Sequence, residues 1–125
     1  QVGSIMKQLT DPAQIQNPNF VKVVVDNRFN SLFFSRSPIP YPRNQSVPIT
    51  YYEHIGVYAF RKDALLQFTQ WPVTPLEDAE KIECLRYLEH GIPLRMVLTE
   101  TAGVKIDVPE DLARAEAYLP HYSIS

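Results

Sequence analysis

The order of hydrophobic and polar positions predicts a mixed α/β chain. Residues 20–35 place two apolar segments on either side of a polar, asparagine-containing turn, which predicts a β-hairpin. Residues 51–60 give the clearest strand, with aromatics and a histidine on one side and mostly aliphatic residues on the other. Shorter strands are predicted at 5–9, 94–98 and 104–106.

Helical spacing of apolar residues predicts a short helix over 62–70 and a longer one over 74–89. The longer helix begins with Thr74 and Glu77 in capping-box positions. A helical turn after Asp11 and a last helix from Asp107 to about residue 119 complete the prediction. Alternating prolines make residues 35–48 an extended loop, since proline fits neither a helix interior nor a central strand. This order favours a partly parallel sheet with helices.

Composition excludes several classes of site. The 125 residues contain only 4 glycines, well separated, so neither a G-x-G-x-x-G turn nor a Walker-type phosphate loop is present. A net charge of -2 without a basic patch gives no reason to expect nucleic-acid binding, and no apolar run is long enough for a membrane span. The single cysteine, Cys84, excludes an intrachain disulfide and fits a cytoplasmic location.

Three side chains could contact a ligand from the strand region. Arg36 follows the strand 32–34, and its guanidinium could hold a carboxylate or phosphate, although a solvated surface arginine is the favoured local interpretation. His54 and Tyr58 share one strand face about 13 Å apart, so they could reach opposite ends of a sugar-sized ligand. A locally bonded histidine beside a core tyrosine is the simpler interpretation.

Two carboxylates are further candidates. Glu83 flanks the apolar stripe of the helix 74–89, where a partly buried carboxylate needs a partner such as Arg86 or Lys81. Asp107 lies between a predicted strand and a helix, so it could ligate Mg²⁺, although a helix N-cap is the favoured local interpretation. Cys84 is interpreted as a small helix residue, because no histidine or asparagine accompanies it at a recognisable spacing.

Six segments together resemble one family, the 3-deoxy-manno-octulosonate (Kdo) cytidylyltransferases. They are NPNFVKVV at 17–24, LFFSRSPIP at 32–40, HIGVYAFR at 54–61, WPVTPLE at 71–77, IECLR at 82–86 and IDVPEDL at 106–112. The segments around SRSPIP and HIGVYAF are specific, whereas DVPEDL is shared more loosely with other sugar nucleotidyltransferases.

The resemblance implies a fold and an activity. The fold is the C-terminal part of a nucleotide-diphospho-sugar transferase, Rossmann-like, with a mixed sheet. The activity is the transfer of a cytidylyl group from CTP to Kdo, which gives CMP-Kdo and pyrophosphate for lipopolysaccharide biosynthesis, with magnesium holding the phosphates. CTP and Kdo are the implied partners of the complete enzyme, which is expected to be a cytoplasmic homodimer.

The resemblance also implies roles for individual residues. Arg36, His54, Tyr58 and Glu83 contact the sugar acid, and Asp107 is one of two aspartates that bind Mg²⁺. No residue of the chain is assigned a catalytic role. The proline loop and the strand 51–60 resemble the region through which the family dimerises.

The chain differs from the family pattern at two residues, and it lacks the motifs of one half of the family's domain. Cys84 stands where the family usually has glutamine, and Lys105 stands where it usually has glycine. The family's P-A-R-x-x-S-x-R-x-P-x-K loop, cytosine pocket and Q-G-D-E-P aspartate are absent. Residues 1–125 are therefore expected to be the sugar-acid-binding and dimerisation half, inactive alone. The alternatives are a non-catalytic interaction module and a cytidylyltransferase for a related sugar acid such as a sialic acid.

Overall fold

The computed structural model describes residues 2–100. Within that range the elements are β1 (Val2–Leu9), α1 (Pro12–Gln16), β2 (Lys22–Val25), β3 (Ser31–Ser35), β4 (Tyr51–Phe60), α2 (Lys62–Gln70), α3 (Pro75–Glu80), α4 (Leu85–Glu89) and β5 (Arg95–Thr99). The strand predicted at 104–106 and the helix predicted from Asp107 lie outside the described residues.

The strands form one mixed sheet in the order β3-β2-β4-β1-β5, which confirms the predicted α/β class. β1 runs parallel to β5 and antiparallel to β4, and β2 pairs antiparallel with β3 and β4. The predicted hairpin over 20–35 is therefore confirmed as β2–β3. β1 begins three residues before the predicted strand 5–9, because pairing with neighbours on both sides overrides the low strand propensity of glycine and serine.

The two edge strands approach each other at one end of the sheet. Asn30, just before β3, forms an antiparallel bridge with Arg95 of β5. The backbone N–H of Ser31 donates to the Leu94 carbonyl at 2.8 Å, and that of Met96 donates to the Phe29 carbonyl at 2.7 Å. These bonds satisfy edge groups that would otherwise be open to pairing with another chain.

The core lies between the sheet and the helices. Its buried members come from β1, β2, β3, α4, β5 and the residue just before β5, and they include Val2, Met6, Val23, Phe34, Leu85, Leu94 and Met96. Ile5, Ile55 and Val57 form a separate small cluster. Because Ile5 and Met6 are consecutive strand residues, the two clusters lie on opposite faces of the sheet. The alternation predicted for residues 51–60 is confirmed in this respect.

The single helix predicted over 74–89 is wrong, because the segment forms two short helices. α3 ends at Glu80, and Lys81 adopts the left-handed conformation with φ 57°. The Lys81 backbone N–H still closes the last turn onto the Glu77 carbonyl at 2.7 Å. The apolar periodicity continues across this break, since Ile82, Leu85 and Leu88 all reach the same core. Periodicity alone therefore does not reveal the change of helix direction.

Candidate functional site

His54 and Tyr58 lie in contact, so the predicted separation of about 13 Å along the strand is wrong. Their ring centroids are 5.4 Å apart in an edge-to-face arrangement. The reason is a bulge in β4. Ser4 of β1 pairs with Tyr58 and the next residue, Ile5, pairs with Ile55, so two residues of β4 are extra. Such a bulge bends its strand and changes the direction of the neighbouring side chains.

Ser4 of β1 also contacts the imidazole of His54. The Nε2 atom of His54 lies 2.9 Å from the Oγ atom of Ser4, a residue that is buried in the sheet. The Phe34 ring lies on another side of the imidazole, with a centroid distance of 4.8 Å. Burial lowers the pKa of His54 from 6.5 to about 4. The imidazole is therefore neutral near pH 7, with one nitrogen able to donate and the other able to accept.

Tyr58 and Glu83 line the same pocket, which has a volume of about 190 Å³. Aromatic side chains form much of its wall, namely Phe60, Phe68 and Tyr87. Burial raises the pKa of the Tyr58 phenol well above its ordinary value, with smaller effects from Cys84 and Glu83. The phenol is neutral at physiological pH. The pocket thus combines apolar faces with a hydroxyl and a carboxylate.

Cys84 adjoins this hydroxyl. Its thiol is buried and lines the same pocket as the Tyr58 phenol. Burial raises the pKa of the thiol to about 12, so Cys84 is protonated at neutral pH and is not a nucleophile. Cys84 is a small buried residue, as the sequence predicts, but it lies at the N-cap of α4 and not within a helix, and it also lines the pocket.

Glu83 lies in the connection between α3 and α4 and is exposed, contrary to its predicted position on a helix beside the buried stripe. Neither predicted partner pairs with it. Arg86 makes its ion pair with Glu77, and Lys81 makes one with Asp78. The break after α3 is the physical cause, because it moves Glu83 out of the helical register that the prediction assumed.

Arg36 is bound to backbone carbonyls. Its Nε, Nη1 and Nη2 atoms donate to the carbonyls of Glu80, Pro18 and Lys81 at 2.7, 2.9 and 3.1 Å. Two of these carbonyls belong to the end of α3, where a cation is favoured by the helix dipole. The local interpretation of a solvated surface arginine is therefore wrong. Three of the five guanidinium N–H groups are used, which leaves one on each terminal nitrogen.

Two charged residues fix the backbone around Arg36. The Glu80 carboxylate accepts from the Ser35 hydroxyl at 2.6 Å and from the Arg36 backbone N–H at 2.9 Å. The Lys22 ammonium, which is fully buried, donates to the carbonyls of Arg36, Phe20 and Asn17 at 2.6 to 2.9 Å. Arg36 is thus held at its amide, its carbonyl and its side chain.

The structure brings together three of the predicted site residues, His54, Tyr58 and Glu83. Arg36 is connected to this group by one contact: its guanidinium donates to the Lys81 carbonyl. Lys81 is two residues before Glu83. Asp107 lies outside the described residues. Within residues 2–100, no group of three or more His, Cys, Asp or Glu side chains is arranged to hold a metal ion. No helix in that range has the length and apolarity needed to cross a membrane.

Sequence reasoning missed Ser4, Glu80 and Lys22. Ser4 is a polar residue within an apolar strand segment, which is a signal for a buried hydrogen-bonding role. Gly56 inside the β4 pattern is the matching signal for a bulge. Lys22 carries the same signal, because it is a charged residue inside the apolar strand segment 20–25. Glu80 offers no comparable signal, because a glutamate near the end of a helix is usually solvated.

Comparison with known proteins places this geometry in a family. The cytidylyltransferase family model matches residues 1–102. The 3-deoxy-manno-octulosonate cytidylyltransferase of Flavobacterium johnsoniae is 52% identical over 118 residues, which are 94% of this chain and 48% of that protein. The protein of the same name from Solibacter usitatus is 43% identical over 113 residues, 90% of this chain and 45% of that protein.

A solved structure gives the same result for the fold. The structure of CMP:2-keto-3-deoxy-manno-octonic acid synthetase complexed with CTP is similar to this chain with a TM-score of 0.77 and 37% sequence identity. The similarity covers 98% of this chain and 50% of that one, so the chain spans about half the length of the relatives it matches. The mixed sheet is therefore that of a nucleotide-diphospho-sugar transferase fold. From the family model, the sequence identity and the shared fold together, we conclude that the chain belongs to the cytidylyltransferase family.

Proposed function

We propose that the chain is the sugar-acid-binding part of a Kdo cytidylyltransferase. In the proposed reaction the anomeric hydroxyl of Kdo attacks the α-phosphorus of CTP. A new phosphorus–oxygen bond forms, the bond to the β-phosphate breaks, and CMP-Kdo and pyrophosphate result. The contribution of this chain is to bind Kdo and orient it, while the CTP site belongs to the remainder of the enzyme.

The observation that supports this proposal most strongly is the pocket shared by Tyr58 and Glu83, with His54 against the tyrosine ring. A phenol, a carboxylate and a neutral imidazole are suitable partners for sugar hydroxyls, which both donate and accept hydrogen bonds. The aromatic wall suits the C–H faces of a sugar ring. A volume of about 190 Å³ is enough for part of an eight-carbon sugar acid.

Arg36 is the proposed partner of the Kdo carboxylate. The guanidinium keeps two free N–H groups after its three carbonyl bonds, and its position is fixed before a ligand arrives. A pre-positioned cation loses little conformational entropy on binding. Glu83 and Arg36 would then bind different ends of the sugar acid, one a hydroxyl and the other the carboxylate.

Asp107 is the residue of this chain that we propose as a magnesium ligand. Asp is a hard oxygen ligand, and Mg²⁺ is commonly held by one or two carboxylates together with substrate phosphates. When bound, magnesium would neutralise the phosphate charge during the displacement. We further propose that the enzyme is a cytoplasmic homodimer of lipopolysaccharide biosynthesis. Exposed Tyr41 and Val47 on the proline loop support a partner surface there.

Titration calorimetry on the 125-residue chain tests the proposal. Kdo is expected to bind, and CTP to give no measurable heat. Glu83→Gln should weaken Kdo binding at least tenfold, whereas Glu100→Gln, which removes another exposed carboxylate, should leave it unchanged. Equal effects of both variants would contradict the assigned site. Binding of a sialic acid in preference to Kdo would favour the related cytidylyltransferase, and binding of neither would favour the interaction module.

An activity assay provides a second test. With CTP, Kdo and Mg²⁺, the 125-residue chain is expected to form no CMP-Kdo. Product formation would contradict the assignment of the chain to sugar-acid binding alone.

A further inference from the structure

The hydroxyl of Ser4 meets three polar atoms. Its Oγ atom lies 2.7 Å from the Val57 carbonyl oxygen, 3.0 Å from the Ile55 carbonyl oxygen and 2.9 Å from His54 Nε2. Both carbonyls come from the bulged part of β4. A regular ladder would place the carbonyls of residues 55 and 57 opposite different residues of β1, so their convergence on one hydroxyl depends on the bulge.

The number of protons decides the direction of each bond. A serine hydroxyl has one proton, and a carbonyl oxygen can only accept. The Ser4 proton must therefore point to the carbonyls, since otherwise two buried carbonyl oxygens would face the hydroxyl oxygen without a proton between them. The hydroxyl then meets His54 with a lone pair, so Nε2 must be the donor.

A neutral imidazole that carries its proton on Nε2 has a lone pair on Nδ1. Burial keeps the pKa of His54 at about 4, so this neutral form holds near pH 7. Within residues 2–100, the Ser4 contact is the one hydrogen bond that the ring makes. The Nδ1 atom therefore has no hydrogen-bond partner among the described residues and keeps its capacity to accept one. Tyr58, which touches the ring, lines the pocket.

We propose that Ser4 is a positioning residue that fixes His54 in the Nε2–H tautomer, so that Nδ1 accepts a hydrogen bond from a hydroxyl of the sugar acid. The identity of the ligand rests on the proposed function, whereas the tautomer does not. A lone pair repels a carboxylate, so His54 recognises a hydroxyl group and leaves the acid group to a cation. The chemical class of ligand at this position is therefore a hydrogen-bond donor.

The tautomer can be read directly by long-range ¹H–¹⁵N spectroscopy on the labelled chain. The His54 ring is expected to show a protonated Nε2 and an unprotonated Nδ1. Ser4→Ala removes the acceptor, so the ring should show a mixture of tautomers, and Ser4→Thr should restore the wild-type pattern. A wild-type ring protonated on Nδ1, or a Ser4→Ala ring with an unchanged pattern, would overturn the role of Ser4.

Ligand binding is the second readout. Addition of Kdo should shift the Nδ1 resonance, and Ser4→Ala should weaken Kdo binding about tenfold while Ser4→Thr binds normally. If Kdo binds and the Nδ1 resonance does not move, the recognition of a hydroxyl by His54 is wrong. If Kdo does not bind the wild-type chain, the proposed function and this recognition both fail, and the tautomer spectra still decide the role of Ser4. Circular dichroism of each variant excludes loss of the fold as the cause.

Discussion

Glu77 and Arg86 form a two-bond ion pair across the break between α3 and α4. The Nε and Nη2 atoms of Arg86 donate to the two carboxylate oxygens of Glu77, each at 2.7 Å. The Arg86 guanidinium also lies over the Phe68 ring, 4.1 Å from its centroid. In one continuous helix, residues nine apart would lie on opposite faces, about 13.5 Å apart along the axis. The pair therefore exists because the helix is broken, and it holds the two short helices together.

Removal of one partner of this pair should destabilise the chain strongly. Glu77→Ala leaves a buried guanidinium without its carboxylate, and we expect a loss of about 3 kcal/mol in the free energy of unfolding. The matched control is Asp78→Ala, which breaks the exposed pair with Lys81 and should cost less than about 1 kcal/mol. Urea denaturation measures both. A smaller loss for Glu77→Ala than for Asp78→Ala would show that the buried pair does not stabilise the break.

The histidine of the pocket should make stability depend on pH. The pKa of His54 is about 4 in the folded chain against 6.5 as its ordinary value. Between these values the unfolded chain binds a proton that the folded chain excludes, so stability falls as the pH drops from 6.5 to 4. The total loss is on the order of 3 kcal/mol. Ser4, Phe34 and neutral Tyr58 are the groups that contact the ring, and none of them carries a charge.

His54→Gln is the variant that isolates this effect. The difference in unfolding free energy between wild type and variant, measured by urea denaturation, should be flat at pH 7 to 8 and should shrink below pH 6.5. Glu77 behaves differently, because Arg86 holds the pKa of that carboxyl below its ordinary value of 4.5, so its contribution is lost at lower pH. A difference that does not change between pH 7 and 4.5 would contradict a buried neutral imidazole.

Arg36 should matter for both stability and sugar-acid binding. Arg36→Ala removes three hydrogen bonds to carbonyls, and we expect a loss of about 2 kcal/mol. Arg43→Ala changes an exposed arginine of the proline loop and should have no effect on stability. In calorimetry, Arg36→Ala should also weaken Kdo binding about tenfold, and Arg36→Lys, which keeps the charge but not the fork, should recover only part of it. If Arg36→Ala lowers stability without changing Kdo affinity, the arginine is structural only.

The proline loop should contribute to self-association. Tyr41 is 81% exposed and Val47 is 54% exposed, and neither packs on the described core. The double variant Tyr41→Ser and Val47→Ser is expected to shift a dimer toward monomer in analytical ultracentrifugation. Leu32→Ser, at an exposed position of the edge strand β3, is the control and should leave the dimer intact. A wild-type chain that is monomeric at high concentration would contradict the proposed homodimer.

Sequence patterns predict the strands of this fold better than they predict the break between α3 and α4 or the bulge in β4. The hairpin 20–35 and the strand 51–60 follow from local alternation, which depends on neighbouring residues alone. The break at Lys81 and the bulge around Gly56 depend on contacts between distant elements, such as Glu77 with Arg86 and Ser4 with the β4 carbonyls. No periodicity in one segment contains that information.

The same difference between local patterns and long-range contacts applies to the candidate site. His54, Tyr58 and Glu83 were identified through the family resemblance, but their arrangement was not. The predicted strand geometry separated two rings that the bulge brings into contact, and the predicted helix placed Glu83 beside partners that pair elsewhere. The sequence predicts that the Arg36 guanidinium can bind a carboxylate or phosphate with two hydrogen bonds. In the structure, two of its N–H groups donate to carbonyls at the end of α3, an arrangement that depends on the left-handed conformation of Lys81.

The most direct test of the account is a titration of the ¹⁵N-labelled chain with Kdo, followed by amide chemical shifts. If this face binds the sugar acid, the shifts concentrate on Tyr58, Glu83 and Cys84, with smaller changes around Arg36. CTP at the same concentration should leave these amides unchanged. Shifts confined to the far edge of the sheet around Leu98, or no shifts with Kdo at millimolar concentration, would contradict the claim that this face binds the sugar acid.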